Sequence, residues 1–353
     1  MKGNRGEKHV KRSQRPGRLA WAVVAVTAVI VAAGCGSSSS NGSSGGSSPG
    51  SSTAPQITIG LVTDIGGLND RSFNHLAYKG LLQAESQLGV KGDVLQSTHS
   101  SDYIPNLQNA ALHGDKLVIA VGFLMESAVE KVAKAYPNTD FAIIDSGPTK
   151  PIPNLKSLLF HEQDGGYMAG YLAGLVTKTN VVSTVGGQKI PPVDHYIAGF
   201  QAGAKAANPK VTTLNAYSQS FTDQAACKQL ALNQISQHSD VVFQVAGGCG
   251  LGALSAAKEK NVWGVGVDAD QAYLGSFILT SAVKKVDVAV FDTIKEIQAG
   301  TFKGGTTAFF TAQNGGAGIG AISPKVPAAD ITKLKAIEQK VESGAIKPPD
   351  VVK

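Results

Sequence analysis

The chain has 353 residues, with 32 Lys and Arg against 26 Asp and Glu and a formal net charge of +6. Seven of the basic residues and one of the acids precede residue 35, so the rest of the chain carries 25 of each sign. This balance removes the compositional argument for a nucleic-acid or other polyanionic partner. About 300 residues remain after the N-terminal region, more than one core usually covers, which favours two lobes.

The first 34 residues have the pattern of an export signal. A basic segment precedes an apolar stretch from Leu19 to Ala33, whose 15 residues fall short of the roughly 20 that a spanning helix needs. The stretch runs into Ala32-Ala33-Gly34-Cys35, a candidate lipobox, so we expect cleavage before Cys35 and a lipid such as palmitate on that cysteine. A plain secretory signal or an uncleaved anchor is the alternative, because Ala32 stands where lipoboxes usually carry Leu.

Residues 36–55 are almost entirely Ser, Gly, Asn, Pro, Thr and Ala. Such a composition cannot bury apolar surface and predicts a flexible tether. A tether behind a lipid anchor indicates a domain held on the extracytoplasmic face of the cell membrane. We therefore divide the chain into a signal at 1–34, a lipidated cysteine and tether at 35–55, and a folded region beyond.

The folded region alternates short β-branched runs with amphipathic helical runs, which is typical of βαβ units and parallel sheets. The predicted strands are Ile57–Val62, Leu117–Val121, Phe141–Ile144, Val181–Val185, Val241–Ala246 and Val262–Val267. The predicted helices are Ser72–Gln87, Met125–Ala135, His195–Ala207, Asp223–Ser236 and Leu251–Lys260. The fold class is therefore α/β.

An internal repeat relates residues 115–145 to residues 240–268. Each segment contains an Asp, a strand, a Gly-bearing turn, a helix and a second strand that closes on an Asp. A looser match relates residues 57–88 to residues 181–208. Two similar α/β halves predict a bilobal protein with a pseudo-twofold axis and a cleft between the lobes.

Chemistry-bearing residues follow the predicted strands. Asp64 follows the first strand, Asp145 and Asp268 close the repeated segments, and Gly122 and Gly247 open the equivalent turns. Because doubly wound sheets bind ligands at the carboxyl ends of their strands, we expect these residues to line one cleft.

Two aromatic residues, one in each half, precede or begin predicted helices. Phe73 lies in the loop TDIGGLNDRSFN and Phe221 in SFTD. Both fit a core role at a helix start. Both also fit a sandwich around a flat ring when the lobes close, with stacking worth about 1–3 kcal/mol per base.

Glycines form two patterns. Gly248, Gly250 and Gly252 precede Asp268 by about 20 residues, as in a dinucleotide fingerprint, but the spacing is GxGxG rather than GxGxxG. The same backbone turn suits a nucleoside, and an exported protein would meet little NAD. The second pattern puts a glycine at every fourth position, which predicts close helix packing: Gly166, Gly170 and Gly174.

Besides Cys35, the chain has only Cys227 and Cys249. The first lies in the early turns of a predicted helix and the second just past the following strand, so packing brings both to one edge of the lobe. A disulfide and two buried free thiols both fit outside the cytoplasm. Beyond the Ser/Gly-rich residues 36–55, the sequence contains no GxSxG motif, no convincing Cys–His pair and no clustered metal ligands, so we predict no cofactor and no metal. The carboxylates also fit a glycosidase pair, although hydrogen bonding in a binding cleft is the simpler account.

The chain resembles the BMP family of basic membrane lipoproteins, the purine-nucleoside receptor type of ABC-transporter substrate-binding protein. The resemblance runs from residue 57 to 348. It is carried by TDIGGLNDRSFN, VGFLMESAVEKVAKAYPNTDFAIID, AGGCGLGALSAAKEK, GVGVDADQ, TSAVKKVDVAVFDTI and VESGAIKPP. Where family members often have a second aromatic after Gly-Phe, this chain has Leu124 and Met125, and Cys249 replaces a more usual Thr.

The resemblance implies a type I periplasmic-binding-protein fold, with two Rossmann-like lobes of parallel sheets joined by three crossovers. The lobes would comprise 56–160 with 276–308, and 161–275 with 309–353. By matching motif positions, the ligand-binding residues would fall into three groups: Phe73 and Phe221 stacking on the purine, Asp64, Asn74 and Asp145 bonding its edges, and Asp268 and Lys284 holding the ribose.

The leading hypothesis is a lipid-anchored, monomeric receptor that captures purine nucleosides by lobe closure and delivers them to an ABC permease. The alternatives are a binding protein for a simple sugar or a free purine base, a secreted nucleoside hydrolase, and a sensor that signals to a membrane partner.

Overall fold

The computed structural model describes residues 56–352. The predictions about the signal, Cys35 and the tether lie outside these residues. Within them, twelve strands form two six-stranded sheets, and nine α-helices pack on their faces. No helix between residues 56 and 352 combines the length and apolarity that crossing a membrane requires.

The first sheet is built mainly from the N-terminal part of the chain. Its elements are β1 (Thr58–Thr63), α1 (Phe73–Leu88), β2 (Lys91–Leu95), α2 (Tyr103–Leu112), β3 (Leu117–Val121), α3 (Glu126–Ala135), β4 (Asp140–Ile144) and β5 (Leu155–Phe160). Every residue of β3 is buried. A strand with helices on both faces of its sheet needs such a continuous apolar run, because neither face meets water.

The second sheet repeats this order. Its elements are α4 (Glu162–Val176), β6 (Val181–Gly186), α5 (Pro191–Ala207), β7 (Thr212–Tyr217), α6 (Gln224–Ser236), β8 (Val241–Val245), α7 (Gly247–Glu259), β9 (Trp263–Asp268) and β10 (Ile278–Lys284). The chain then adds α8 (Val286–Gln298), β11 (Thr307–Phe310), β12 (Ala317–Ile319) and α9 (Ala328–Glu342).

The two sheets have the same topology. The strand orders are β2-β1-β3-β4-β5-β11 and β7-β6-β8-β9-β10-β12. Neighbours are parallel except β12, which runs antiparallel to β10. The predicted strand–helix–strand repeats are β3-α3-β4 and β8-α7-β9, which pair in corresponding positions of the two sheets. The predicted α/β fold with two related halves is confirmed.

Three crossovers connect the lobes. The chain passes from β5 in the first sheet to α4, from β10 in the second sheet to α8, and from β11 in the first sheet to β12 in the second. Because α8 packs its buried residues into the same core as α1, it belongs to the first lobe.

One predicted lobe boundary needs correction. We assigned residues 276–308 to the first lobe, but β10 lies in the second sheet, where it pairs with β9 and β12. The crossover therefore falls after Lys284 rather than before residue 276. A buried apolar strand has the same sequence pattern in either sheet, so only its pairing partner identifies the sheet to which it belongs.

The glycine repeat of α4 packs this helix against α5 without intervening side chains. A Cβ at Gly166 would overlap the carbonyl of Tyr196, one at Gly170 that of Phe200, and one at Gly174 that of Ala204. The predicted close helix packing is thus present. In the same lobe, Cys227 and Cys249 are joined in a disulfide with a Cα–Cα distance of 5.6 Å, which links α6 to α7.

Candidate ligand-binding site

The cleft between the two sheets contains a cavity lined by side chains of both lobes. It lies at the carboxyl ends of β1, β3 and β4 on one side and of β8, β9 and β10 on the other, where doubly wound sheets bind ligands. The structure brings the seven residues proposed for ligand contacts, and Gly247 at its turn, to the lining: Asp64, Phe73, Asn74, Asp145, Phe221, Gly247, Asp268 and Lys284.

Asp145 and Asp268 occupy equivalent positions, directly after β4 and at the end of β9. Both have a left-handed backbone, with φ of 67° and 59°, a conformation that costs a non-glycine residue about 1–3 kcal/mol. Both carboxylates approach the same ammonium group: Lys284 Nζ lies 2.5 Å from Asp145 Oδ2 and 3.9 Å from Asp268 Oδ1. The sequence repeat therefore places one carboxylate from each lobe around a shared cation.

Lys284 ends β10 at a crossover, and only 2% of its side chain is exposed. Its ammonium also donates to Glu162 Oε1 at 3.2 Å and lies 4.8 Å from the centre of the Phe73 ring. Burial alone would lower the pKa of Lys284, but the carboxylates around it raise the pKa above its ordinary value. Burial raises the pKa of Asp145, and the Lys284 ammonium offsets only part of that effect. Lys284 is a permanent positive charge in the cavity wall.

Glu162 and His195 stand behind Lys284, and the sequence analysis assigned no function to either. Glu162 begins α4, is 2% exposed, and accepts from Lys284 through one oxygen while the other lies 3.1 Å from His195 Nδ1. Burial would lower the pKa of His195, but the contact with Glu162 raises it. The surrounding sequence HEQDG matches no motif that would single out Glu162. Its contact with Lys284 depends on the crossover that brings the start of α4 next to the end of β10.

Asp64 and Asn74 also line the cavity from the first lobe. Asp64 Oδ1 accepts hydrogen bonds from Asn74 Nδ2 at 2.7 Å and from the Gly66 backbone N–H at 2.9 Å. Burial nevertheless raises the pKa of Asp64 to about 6, because these bonds compensate only in part for lost solvation and the nearby Asp70 adds repulsion. The pair is buried, with Asp64 7% and Asn74 2% exposed.

Asp70 and Ser72 position the start of α1. Asp70 accepts from the backbone N–H groups of Ser72, Asn74 and His75 at 2.8–3.0 Å, which satisfies the free donors of the first turn. This arrangement leaves Ser72 Oγ to donate across the cleft to Asp268 Oδ2 at 2.8 Å and to the Val267 carbonyl at 3.0 Å. The loop that begins α1 thus contacts both lobes.

Phe73 and Phe221 line the cavity from opposite lobes. Glycines make room for both rings. A Cβ at Gly122 would lie 3.2 Å from the Phe73 ring, and a Cβ at Gly187 would overlap the Phe221 ring. The side chains are partly exposed rather than enclosed in a core. Their position therefore agrees better with rings that face the cleft than with core residues at helix starts.

The GxGxG glycines serve mainly to pack α7. A Cβ at Gly250 would overlap the Gln244 side chain, and one at Gly252 would overlap the backbone of Gln224 in α6. Of the three, only Gly248 lines the cavity, next to Gly247. The resemblance to a dinucleotide fingerprint is therefore a consequence of helix packing.

Tyr196 also lines the cavity, and no sequence pattern indicated this position. Its hydroxyl donates to Asp268 Oδ1 at 3.2 Å. The predicted helix began at His195, whereas α5 begins at Pro191, so its first turn reaches the cavity through Pro192 and Val193. Proline at the first helical position was the available signal, because it is over-represented there.

Among residues 56–352, no three His, Cys, Asp or Glu side chains are grouped to hold a metal ion. Two lobes that enclose a cavity and are joined by three crossovers are typical of solute-binding proteins. The family model described as "Bmp: ABC transporter substrate-binding protein PnrA-like" matches residues 57–351, and the chain belongs to this family. It is a family of transporter binding proteins and not of enzymes.

Individual relatives agree with this assignment. The chain is 35% identical to a CD4+ T-cell-stimulating antigen of Listeria monocytogenes, over 94% of this chain and 98% of that protein. It is 34% identical to an ABC transporter nucleoside-binding protein of Lactococcus lactis, over 86% and 90%. Further relatives are named lipoprotein in Pyrococcus horikoshii, at 34% identity over 73% and 68%, and basic membrane protein in Borrelia garinii, at 32% over 70% and 74%.

Solved structures show the same fold. An ABC transporter solute-binding protein from Aeropyrum pernix superposes with a TM-score of 0.75 at 26% identity, over 82% of this chain and 92% of that one.

Proposed function

We propose that the protein captures a purine nucleoside in the cleft between its lobes and delivers it to an ABC permease, held at the membrane by a lipid on Cys35. One observation carries the ligand assignment: the cavity lining combines an aromatic ring from each lobe with carboxylate, amide and ammonium side chains. A nucleoside presents matching surfaces, a flat base and a hydroxyl-bearing sugar.

The base fits between Phe73 and Phe221, since stacking on aromatic faces is worth about 1–3 kcal/mol per base. Asp64 and Asn74 would bond the edge of the base. Asp268 and Lys284 offer a carboxylate and an ammonium group, which suit the hydroxyl groups of a ribose. The nucleoside-binding relative in Lactococcus lactis supports the same choice of ligand.

Lobe closure is the proposed mechanism. The residues assigned to the ligand come from both lobes, so a bound nucleoside stabilises the closed arrangement that brings them together. The permease would then recognise the surface that the two closed lobes form. The names of the lipoprotein relatives support the anchor on Cys35, and we keep the prediction that the protein is a monomer.

A thermal-shift screen tests the ligand assignment. The mature domain, residues 36–353, is unfolded and refolded to remove carried-over ligand and then heated with purine and pyrimidine nucleosides, free bases, ribose and other simple sugars. A nucleoside at about 100 times its Kd should add roughly 2.7 kcal/mol and raise Tm by a few degrees. A response to sugars or free bases without any response to nucleosides would contradict the proposed function.

A further inference from the structure

The disulfide of the second lobe joins the first turns of two helices that border the cleft. Cys227 lies in the first turn of α6 and Cys249 in the first turn of α7. Both side chains are 0% exposed, so the folded protein shields the bridge from solvent. The turn that opens α7 lines the cavity through Gly247 and Gly248. The bridge is therefore attached to a segment that forms part of the cavity wall.

Phe221 lies in the loop between β7 and α6, and the start of α7 contacts its backbone. The Phe221 carbonyl accepts a hydrogen bond from the Cys249 backbone N–H at 2.9 Å. A Cβ at Gly248 would lie 3.4 Å from the same carbonyl, so the loop and the helix are in close contact there. The residue that bonds the backbone of Phe221 is thus one half of the disulfide.

Few buried side chains hold the start of α6. Residues 222–225 are all exposed, and α6 buries only three side chains: Cys227, Ala231 and Gln234. Asp223 caps the helix, but the backbone N–H groups that it accepts from lie in or next to the same exposed segment. A helix end with so little buried apolar surface opens locally at low cost. Its first buried side chain is Cys227, and this side chain is bonded covalently to α7.

The other end of the Phe221 loop is bonded to the sheet. The backbone N–H groups of Ser218 and Gln219 donate to the carbonyls of two consecutive glycines at the end of β6, at 2.9 and 3.0 Å. The Phe221 ring packs on the second of these, since a Cβ at Gly187 would overlap the ring. The ring is therefore held between β6, through hydrogen bonds, and α7, through the disulfide.

We propose that the Cys227–Cys249 disulfide positions Phe221 for stacking on the ligand, so that its loss weakens binding and does more than lower stability. This inference rests on the proposed nucleoside function and adds to it two positioning residues that touch no ligand. A loop that is ordered before binding costs less free energy to order on binding. The bridge thus increases affinity through the ring.

A double-mutant cycle between the bridge and the ring tests the proposal. Isothermal titration measures Kd for guanosine, inosine and adenosine with four mature domains, each stripped without reductant: native, Cys227→Ala/Cys249→Ala, Phe221→Leu and the combined variant. We expect removal of the bridge to raise Kd about tenfold in the native background and less than about twofold in the Phe221→Leu background. Cys227→Ala alone also breaks the bridge and replaces the double variant if that protein does not fold.

Hydrogen exchange of the ligand-free proteins provides a second readout that does not depend on binding. Loss of the bridge should speed exchange of the backbone N–H groups in residues 218–226, because the start of α6 then opens more often. Leu334→Ala is the control for lowered stability, since it truncates a buried side chain of α9 in the same lobe. This variant should lower Tm and leave both Kd and the exchange of residues 218–226 unchanged, at a temperature where every variant is folded.

Three results would overturn the proposal: an unchanged Kd without the bridge, an equal rise of Kd in both backgrounds, or a rise of the same size in Leu334→Ala. Unchanged exchange of residues 218–226 without the bridge would also overturn it. If the native domain binds none of the three nucleosides, the proposed function fails, while the exchange rates still decide whether the bridge orders the Phe221 loop.

Discussion

Buried carboxyl groups at the cleft make the stability of the ligand-free protein depend on pH. Asp64 is 7% exposed, and burial raises its pKa to about 6 from an ordinary value of 3.8. The folded state therefore holds this proton more tightly than the unfolded chain does. Stability from such a group is present at low pH and is lost as pH rises from about 4 towards 6 and beyond.

The first prediction is that the stripped, ligand-free domain has a larger free energy of unfolding at pH 5 than at pH 7.5. The Asp64 contribution is about 1–3 kcal/mol, because one pKa unit corresponds to 1.36 kcal/mol. Burial raises the pKa of Asp70, Asp145 and Asp268 as well, so these groups act with the same sign. Denaturant unfolding at several pH values measures the slope.

A pair of Asn substitutions isolates the Asp64 contribution. Asp64→Asn should reduce the pH slope, since the amide does not titrate. Asp292→Asn replaces an exposed carboxylate on α8 and should leave the slope unchanged. Equal slopes in both variants would show that Asp64 does not hold its proton as argued.

Among the secondary-structure elements, α4 and α5 make the closest contact in the second lobe. Glycines on both helices allow it: Gly166, Gly170 and Gly174 on α4 meet the backbone of α5, while Gly199 and Gly203 on α5 meet the backbone of α4. Glu162 begins α4, and His195 and Tyr196 lie on α5. The separation of the two helices therefore sets the positions of groups that hold Lys284 and Asp268.

We predict that Gly170→Ala destabilises the protein by about 1–3 kcal/mol, because its Cβ would overlap the Phe200 carbonyl and backbone atoms cannot move aside as a flexible side chain can. Helix propensity alone would favour Ala by up to about 1 kcal/mol, so a net loss reports the packing clash. Thermal or denaturant unfolding measures it.

The matched control is Gly318→Ala in β12, where an added Cβ meets no atom within 4 Å. That variant should be close to neutral. A Gly170→Ala protein as stable as the native one would show that α4 and α5 can separate without loss, and that the glycine repeat is not required for packing.

For the whole molecule, two sets of contacts join the lobes across the cleft. Ser72, at the start of α1, bonds Asp268 and the Val267 carbonyl of the other lobe. Lys284, at the end of β10, bonds Asp145 after β4. Both contacts use the residues proposed for the sugar end, so the ligand and the interlobe contacts act on the same equilibrium between open and closed lobes.

Loss of one interlobe contact should open the ligand-free molecule. In Ser72→Ala the loss of about 1 kcal/mol lowers the closed-to-open ratio roughly fivefold. Small-angle X-ray scattering of the stripped domain should then give a larger radius of gyration than the native protein has, with the difference reduced when saturating nucleoside is added. Ser86→Ala, an exposed serine on the same helix, serves as the control. Identical scattering from all three proteins would contradict the role of Ser72.

Residue patterns indicated the carboxylates that line the cavity because these residues stand at strand ends. Asp64, Asp145 and Asp268 each follow a buried strand, and a chain that alternates strands and helices brings such residues to one edge of its sheet. The role of Lys284 came from the resemblance rather than from spacing. Neither the residue patterns nor the resemblance indicated Glu162. It lies in no motif, and its partner Lys284 is 122 positions away in the sequence.

The sequence by itself determined the α/β class, the repeat and the positions of the polar strand ends, since periodicity and turn residues are local properties that each segment carries alone. Only the tertiary structure decided that β10 joins the second sheet, that Lys284 lies among three carboxylates, and that Asn74 Oδ1 is buried without a partner among residues 56–352. These depend on pairing partners distant in sequence and on the orientation of buried groups, which packing fixes and local pattern does not.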